Sequence, residues 1–333
     1  MSDNGIIMRA LFGIAVALGL SGCAVTSAVL GQSGTIGVIY YAPAWGPDEK
    51  GEEVAYFLKQ VDIEAPAHGE NRIYFCSIKP DGSQRREIAQ LWKDQPDQWF
   101  EPYATAVTMD INAATKRAAI GVEQGNRSGV FIVDLDGKNF KPLWPKEWNE
   151  DRPKTAGYPT WSPDGKWIAF EEYRFEGGTN LYRIAKMRGD ASGYTPLTDR
   201  DKCNMQPAWS PKGDEIAYVN YPRYYPGPSY LSLTNPDGSE KRVTKQWGDY
   251  PRWSPDGQQI LLEGTWVIDA GGAKVRNWHP FGIFPKWGKG GFVSVGPLDI
   301  NISDPEGKFS RYIMKNVSRR GTASDLVKES FRW

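Results

Sequence analysis

Histidine and cysteine are nearly missing from this chain: 333 residues carry two of the first and three of the second. The histidines, His68 and His279, fall in different parts of the chain with no ligand spacing, so no metal site is expected. With Cys23 set aside, Cys76 and Cys203 remain. Cys76 sits in a strand-like "IYFCSI" and Cys203 in a loop of a distant segment. A buried, unreactive Cys76 and no disulfide are expected. Charge of one sign is lacking too, because 40 basic side chains balance 40 acidic ones. That removes any global pull toward nucleic acid or an anionic membrane surface. After Cys23 no apolar run is long enough to cross a bilayer. There is no G-x-S-x-G elbow, no Cys-x-x-Cys, no His-Glu-x-x-His and no phosphate-cradling glycine loop. "DLDG" at 134 to 137 is too short for a calcium loop. The pairs Glu52-Glu53 and Glu171-Glu172 are expected either to alternate along strands or to sit on solvated surfaces. Neither a catalytic residue nor a cofactor is expected.

Turn residues and aromatics, by contrast, are abundant: 36 glycines, 24 prolines and 14 tryptophans. "WSPDGKWIAF" at 161 to 170 shows how they combine. Pro163 presets φ for a type I turn, Asp164 tolerates the next position, and Gly165 takes the left-handed residue that follows. Lys166 to Phe170 then reads as a short strand. Trp161 is a large apolar body suited to wedging between packed sheets. Turn chemistry accounts for Asp164 and for Asp256 in a second copy. A third copy has Lys212 at that place, which no shared acid–base role would tolerate.

The copies set the architecture. Clear ones start at Trp161, Trp209 and Trp253, and degenerate ones at Trp45, Met109 and Trp287, at intervals of 64, 52, 48, 44 and 34. A second half-motif, two strands around a glycine turn, ends at Trp92, Trp144, Thr198, Trp247 and Trp278. Each unit thus reads as four short antiparallel strands, and six units predict an all-β fold, a six-bladed β-propeller of four-stranded antiparallel blades. Nine of the tryptophans occupy the two repeated positions, where blade packing is the expected role. A helical pattern is expected at most near Ser324 to Phe331. The strand-like ends "TIGVIYYA" (35 to 42) and "FSRYIMKN" (309 to 316) are expected to share a blade, closing the ring and leaving no open edge.

These repeats resemble those of TolB-type β-propellers, with strong motifs at 161, 209 and 253 and weaker ones at 45, 109 and 287, over roughly residues 36 to 315. In TolB the propeller follows a separate α/β domain and binds a peptidoglycan-associated lipoprotein. Here about a dozen residues separate the N-terminal leader from the first strand, so a protein distinct from TolB itself is expected. Similar repeats occur in propeller domains of prolyl-peptidase-like enzymes and in oligogalacturonate lyases, so the resemblance implies architecture before activity. The lyases need a histidine-rich metal cluster, which two histidines do not supply.

The first residues have a character of their own. Arg9, an apolar run from Leu11 to Leu20 and then Leu20-Ser21-Gly22-Cys23 read as a secretory signal, with Met8 a better start than Met1. The final four resemble the bacterial lipobox, which implies cleavage before Cys23 and its acylation, palmitate included. Expected boundaries are therefore a lipoprotein signal peptide over 1–22, a lipidated N-terminus and tether over 23–34, and the propeller over 35–333. Ala24 lacks the aspartate associated with inner-membrane retention, so the resemblance implies a periplasm-facing outer-membrane lipoprotein.

Two surfaces are candidates for binding. Tyr158, Gln206, Tyr250 and Phe284 stand three residues before four of the Trp anchors, with Arg252 and Lys286 directly before two of them. They are expected at one mouth of the central channel, either as a site for a peptide or extended polar ligand or as a plug. The second is "NYPRYYPGPSY" (220 to 230), where Tyr221, Arg223, Tyr224, Tyr225 and Tyr230 either offer interface-type contact area or form a rigid cap packed on their own blade. The leading expectation is a non-catalytic, lipid-anchored module that binds or scaffolds envelope proteins. The alternative is an enzyme acting on polysaccharide or peptide, or a glycan-binding propeller, using the same mouth.

Overall fold

Six four-stranded antiparallel sheets follow one another along the chain, each built from four consecutive strands. The structure is a computed structural model that describes residues 37–63, 70–93, 105–124, 127–146, 156–176, 179–200, 203–221, 229–263, 266–277, 283–295, 299–304 and 310–315. Blade 1 comprises β1 (Gly37–Pro47), β2 (Glu53–Ile63), β3 (Glu70–Ile78) and β4 (Arg86–Lys93). Blade 2 comprises β5 (Thr105–Asn112), β6 (Arg117–Gln124), β7 (Arg127–Asp134) and β8 (Lys141–Trp144). Blade 3 is β9 (Ala156–Trp161), β10 (Trp167–Glu176), β11 (Thr179–Arg188) and β12 (Thr195–Pro196). Blade 4 is β13 (Cys203–Trp209), β14 (Ile216–Tyr221), β15 (Tyr230–Thr234) and β16 (Arg242–Val243). In blade 5 the strands are β17 (Asp249–Trp253), β18 (Gln259–Glu263), β19 (Trp266–Asp269) and β20 (Lys274–Asn277). In blade 6 they are β21 (Ile283–Gly288), β22 (Gly291–Val295), β23 (Asp299–Ser303) and β24 (Ser310–Lys315). This is the expected six-bladed propeller. No helix occurs among the described residues, and Ser324 to Phe331 lies outside them.

The corner behaves as its residues require. In blade 3 the Gly165 N–H donates to the Ser162 carbonyl at 2.9 Å, with Gly165 at φ 69°. The Ser162 hydroxyl donates to Asp164 Oδ1 at 2.6 Å while accepting from the Trp167 N–H at 2.9 Å. Ser254 and Asp256 repeat the pattern in blade 5. Those bonds hold the Asp164 and Asp256 carboxyls below the usual carboxylate range, with the serine hydroxyl as the largest cause. Blade 4 has Lys212 in the turn and substitutes Asp214, which accepts from the Ser210 hydroxyl at 2.8 Å. A β-carbon on Gly165 would stand 2.4 Å from the Thr115 methyl and 2.8 Å from Asn112 Oδ1, so glycine is needed for space as well as conformation. Asn112, from blade 2, donates to the Ser162 carbonyl at 2.9 Å and clamps the corner to its neighbour.

Between the blades lie separate apolar clusters. Met109, Leu58 and Phe75 join blades 1 and 2, while Trp161, Ile168 and Ile132 join blades 2 and 3. Trp209 with Ile184, Trp253 with Leu231 and Leu233, and Leu261 with Phe292 fill the next three seams. Tyr40, Phe57 and Cys76 pack on Val293, Ile300 and Ile302 at the seam where the chain's two ends meet. Burial of Cys76 raises its thiol to about 12, as expected for an inert core cysteine, and no disulfide joins Cys76 to Cys203.

Three expectations need correction. The two end segments do not share a blade: 37–47 is the inner strand of blade 1 and 310–315 the outer strand of blade 6. The ring closes through side-chain packing: β1 lies on the inner edge of its sheet and β24 on the outer edge of another, so their free edges do not meet, and the apolar side chains of blades 1 and 6 join the two. Cys203 opens β13 and is buried, not placed in a loop, because it faces Met205, Val219 and Tyr221. Trp247 is 56% exposed and does not pack between blades as its repeat position implied, since β16 ends at Val243 and leaves it beyond the sheet.

Candidate functional site at the central channel

Every inner strand carries a register shift about three residues before its anchor: at Tyr41/Ala44, Ala106/Thr108, Met205/Ala208, Asp249/Arg252 and Ile283/Lys286, and in blade 3 opposite Ala169/Glu171. The sequence contains the cause. Proline precedes the anchor by two residues in five blades, at Pro43, Pro159, Pro207, Pro251 and Pro285. Proline has no N–H for the ladder and disfavours helical φ/ψ at the residue before it, so the strand bulges. That preceding residue is left-handed in four blades: Ala42 at φ 49°, Tyr158 at 50°, Gln206 at 58° and Tyr250 at 50°. For a residue with a β-carbon this conformation costs about 1–2 kcal/mol.

Acceptors from the neighbouring blade satisfy the bulge. The Gln206 N–H donates to Glu171 Oε2 at 3.1 Å, and Gln206 Oε1 in turn accepts the Tyr250 N–H at 2.8 Å. Gln206 is buried by this relay. The Tyr158 and Tyr250 rings, from blades 3 and 5, approach to 5.8 Å between centroids and narrow the channel. Three predicted mouth residues are therefore brought together, two as facing rings and one as a buried linker. Phe284 lies on β21 within its register shift.

Arg252 and Lys286 stand further along the inner strands. With Tyr158 they line a central cavity of about 180 Å³, walled also by Trp209, Trp253 and Trp287. Lys286 Nζ reaches Asp110 Oδ1 of blade 2 at 3.3 Å, and Asp110 Oδ2 accepts the Trp161 N–H at 2.8 Å and the Thr160 hydroxyl at 3.2 Å. Desolvation pushes Lys286 down to about 8; Asp110 opposes that shift, and the nearby Arg252 charge adds to it. The Arg252 guanidinium also donates to the Pro251 carbonyl at 2.8 Å.

The roots of the tyrosine-rich hairpin lie on the same face. Cys203, at the start of β13, pairs with Tyr221, at the end of β14, so the hairpin leaves the sheet on the side where inner strands begin. The Tyr221 hydroxyl donates to Asp249 Oδ1 of blade 5 at 2.7 Å, fixing one root of the hairpin, and Tyr230 begins β15 at the other. Arg223, Tyr224 and Tyr225 lie outside the described residues, as do Cys23, His68 and His279.

Glu171 and Glu172 are not on a solvated face. Both are buried, because β10 is covered by blade 4 and by the segment leading to it. Glu172 accepts from Arg183, from the Tyr194 hydroxyl at 2.8 Å and from Arg200 at 2.7 Å, and Arg200 leads into blade 4. Desolvation would raise its pKa, yet the three donors outweigh it and hold the carboxyl below its ordinary value. A depressed carboxyl contributes stability above its unfolded pKa, and that contribution disappears as pH falls through the lower folded value. Glu172→Gln keeps an acceptor and loses the charge, so it should cost about 1 kcal/mol near pH 7 and less in acid. Urea melts at pH 7 and pH 3 check this; an equal deficit at both would show that the charge is immaterial.

Asp110 was legible only as the residue after a weak anchor, in "VTMDIN", where the clear copies have serine. The proline before five of the six anchors was the overlooked signal for the bulges. Among the described residues no group of three or more His, Cys, Asp or Glu lies together as metal ligands would.

No known protein-family model matches the chain, and no curated protein does. Solved structures do. The chain is similar to an acylaminoacyl peptidase from Pyrococcus horikoshii with a TM-score of 0.50 at 10% identity, covering 89% of this chain and 54% of that one. It is similar to TolB from Acinetobacter baumannii with a TM-score of 0.43 at 15% identity, over 81% of this chain and 53% of that one. A putative TolB from Agrobacterium tumefaciens gives 0.42 at 18% identity, over 83% and 80% of the two chains. This chain thus spans about half the length of the first two. At such identities the likeness is one of fold alone.

Proposed function

We propose that the protein is a non-catalytic, lipid-anchored β-propeller that binds another envelope protein through the face where its inner strands begin. The observation that carries the reading is the convergence of Tyr158, Gln206 and Tyr250, each held left-handed by a proline bulge, at one channel mouth. Residues kept in costly conformations cluster where recognition needs fixed geometry. The roots of the tyrosine-rich hairpin, Tyr221 and Tyr230, lie on the same side. Rigid aromatic side chains of this kind give contact area at low entropic cost. The anchor in this reading is acylated Cys23 on the outer membrane, facing the periplasm, and two or more acyl chains would make it stable.

Capture of partners from solubilised membranes tests the reading. Tyr158→Ala with Tyr250→Ala removes two aromatic anchors at the mouth and should weaken recovery of a specific partner at least tenfold, as expected for losing central contacts. Unchanged recovery by a folded double variant would refute the mouth as the docking face. Incorporation of labelled palmitate into the wild type, and its loss in Cys23→Ser, tests the anchor separately; labelling that persists in the variant would refute it.

A further inference from the structure

The central cavity carries a charge imbalance that blade packing does not require. Directly before their anchors the six blades place Ala44, Thr108, Thr160, Ala208, Arg252 and Lys286. Four of these are small and neutral, whereas blades 5 and 6 bring two cations to adjacent places on the wall. Among the described residues lining the cavity Asp110 is the one carboxylate, and one of its oxygens is already taken by the Trp161 N–H and the Thr160 hydroxyl. The lining therefore has a formal charge of +1, and Trp209, Trp253 and Trp287 are part of its wall.

Lys286 shows the consequence. Its ammonium has three N–H donors, and Asp110 is its hydrogen-bond acceptor among the described residues. Seventeen per cent of the side chain remains accessible, and the residue lines the cavity. We propose that this cavity binds a small monovalent carboxylate, held by Lys286 and Arg252. A monoanion cancels the +1 of the lining, whereas a dianion would reverse it. The planar fork of a guanidinium matches a carboxylate better than it matches a halide, and the indole walls favour an organic acid over an inorganic ion. About 180 Å³ holds roughly a dozen water positions, enough for an acid of a few carbon atoms and too little for a folded partner. The inference does not depend on what docks at the mouth.

Acetate is the probe, applied to the purified full chain at pH 7 and constant ionic strength, with chloride and sulfate as comparators. Acetate should raise the melting temperature along a saturable curve that chloride and sulfate do not reproduce, and it should shift the Lys286 ammonium titration, followed by NMR, to higher pH. Lys286→Met and Arg252→Gln, each shown to be folded by its own melt, should both lose the saturable response. An equal response to chloride, a stronger response to sulfate, no response to any anion, or an acetate response that survives in Lys286→Met would each overturn the proposal.

Discussion

Replacing Gly288 with valine should open the propeller at the seam where its first and last blades meet. A β-carbon at this position would stand 2.5 to 2.7 Å from three atoms of the Trp45 indole, so the ring must move. Trp45 has no freedom to do so cheaply, because its Nε1 donates to the Lys286 carbonyl at 3.2 Å across the seam. The bond repeats one inside the ring, where Trp253 Nε1 donates to the Ala208 carbonyl at 3.0 Å. Elsewhere the covalent chain joins successive blades; among the described residues, packing and such contacts hold this seam. Overpacking together with the lost hydrogen bond should lower stability by about 3 kcal/mol. Gly290→Ala, two residues on, is the control, since nothing stands within 4 Å of its added carbon. Urea denaturation of the pair decides the matter: equal midpoints would mean that Trp45 does not close the ring.

Lys286→Met should act in the opposite direction and stabilise the fold at neutral pH. The ammonium's ordinary value is 10.5, and in the cavity it falls to about 8. A base with a lowered folded pKa binds fewer protons folded than unfolded between those two values. Stability therefore rises with pH across that window, and the penalty is fully present below about pH 8. The difference of 10.5 minus about 8 corresponds to about 3 kcal/mol. Water reaching part of the side chain, and the loss of Asp110's partner, reduce the expected gain to about 2 kcal/mol. Wild type should gain stability from pH 7 to pH 10 while the variant stays level apart from changes common to both. A variant less stable than wild type at pH 7, or one with the same alkaline rise, would show that Lys286 is a structural partner of Asp110 and not a strained cation. A destabilising lysine retained in a cavity is the pattern expected where binding, not packing, sets the side chain.

The corner was readable because all its parts lie within one short window. Ser162, Pro163, Asp164 and Gly165 specify the turn, Trp161 the wedge and Ile168 the following strand, and copies of that window count the blades. The bulges were equally local in five blades, since proline two residues before the anchor removes a ladder donor; blade 2 bulges with Val107 at that place. Their left-handed Tyr158, Gln206 and Tyr250 were placed at the mouth from the sequence for their chemistry, without the conformation that holds them there.

The sequence by itself determined the blade, its number and its order, because hairpins and corners depend on residues close along the chain. Tertiary structure alone decided the rest. Closure depends on Trp45 meeting Lys286, 241 residues away, and the cavity's ion pair on Asp110 meeting Lys286, 176 residues away. Glu171 and Glu172 look solvated in their strand and become buried only when blade 4 covers them. Trp247 looks like a packing residue by its place in the repeat and is left in solvent because β16 stops short of it. Such outcomes depend on which surface a neighbouring blade presents, and no short window of sequence contains that neighbour.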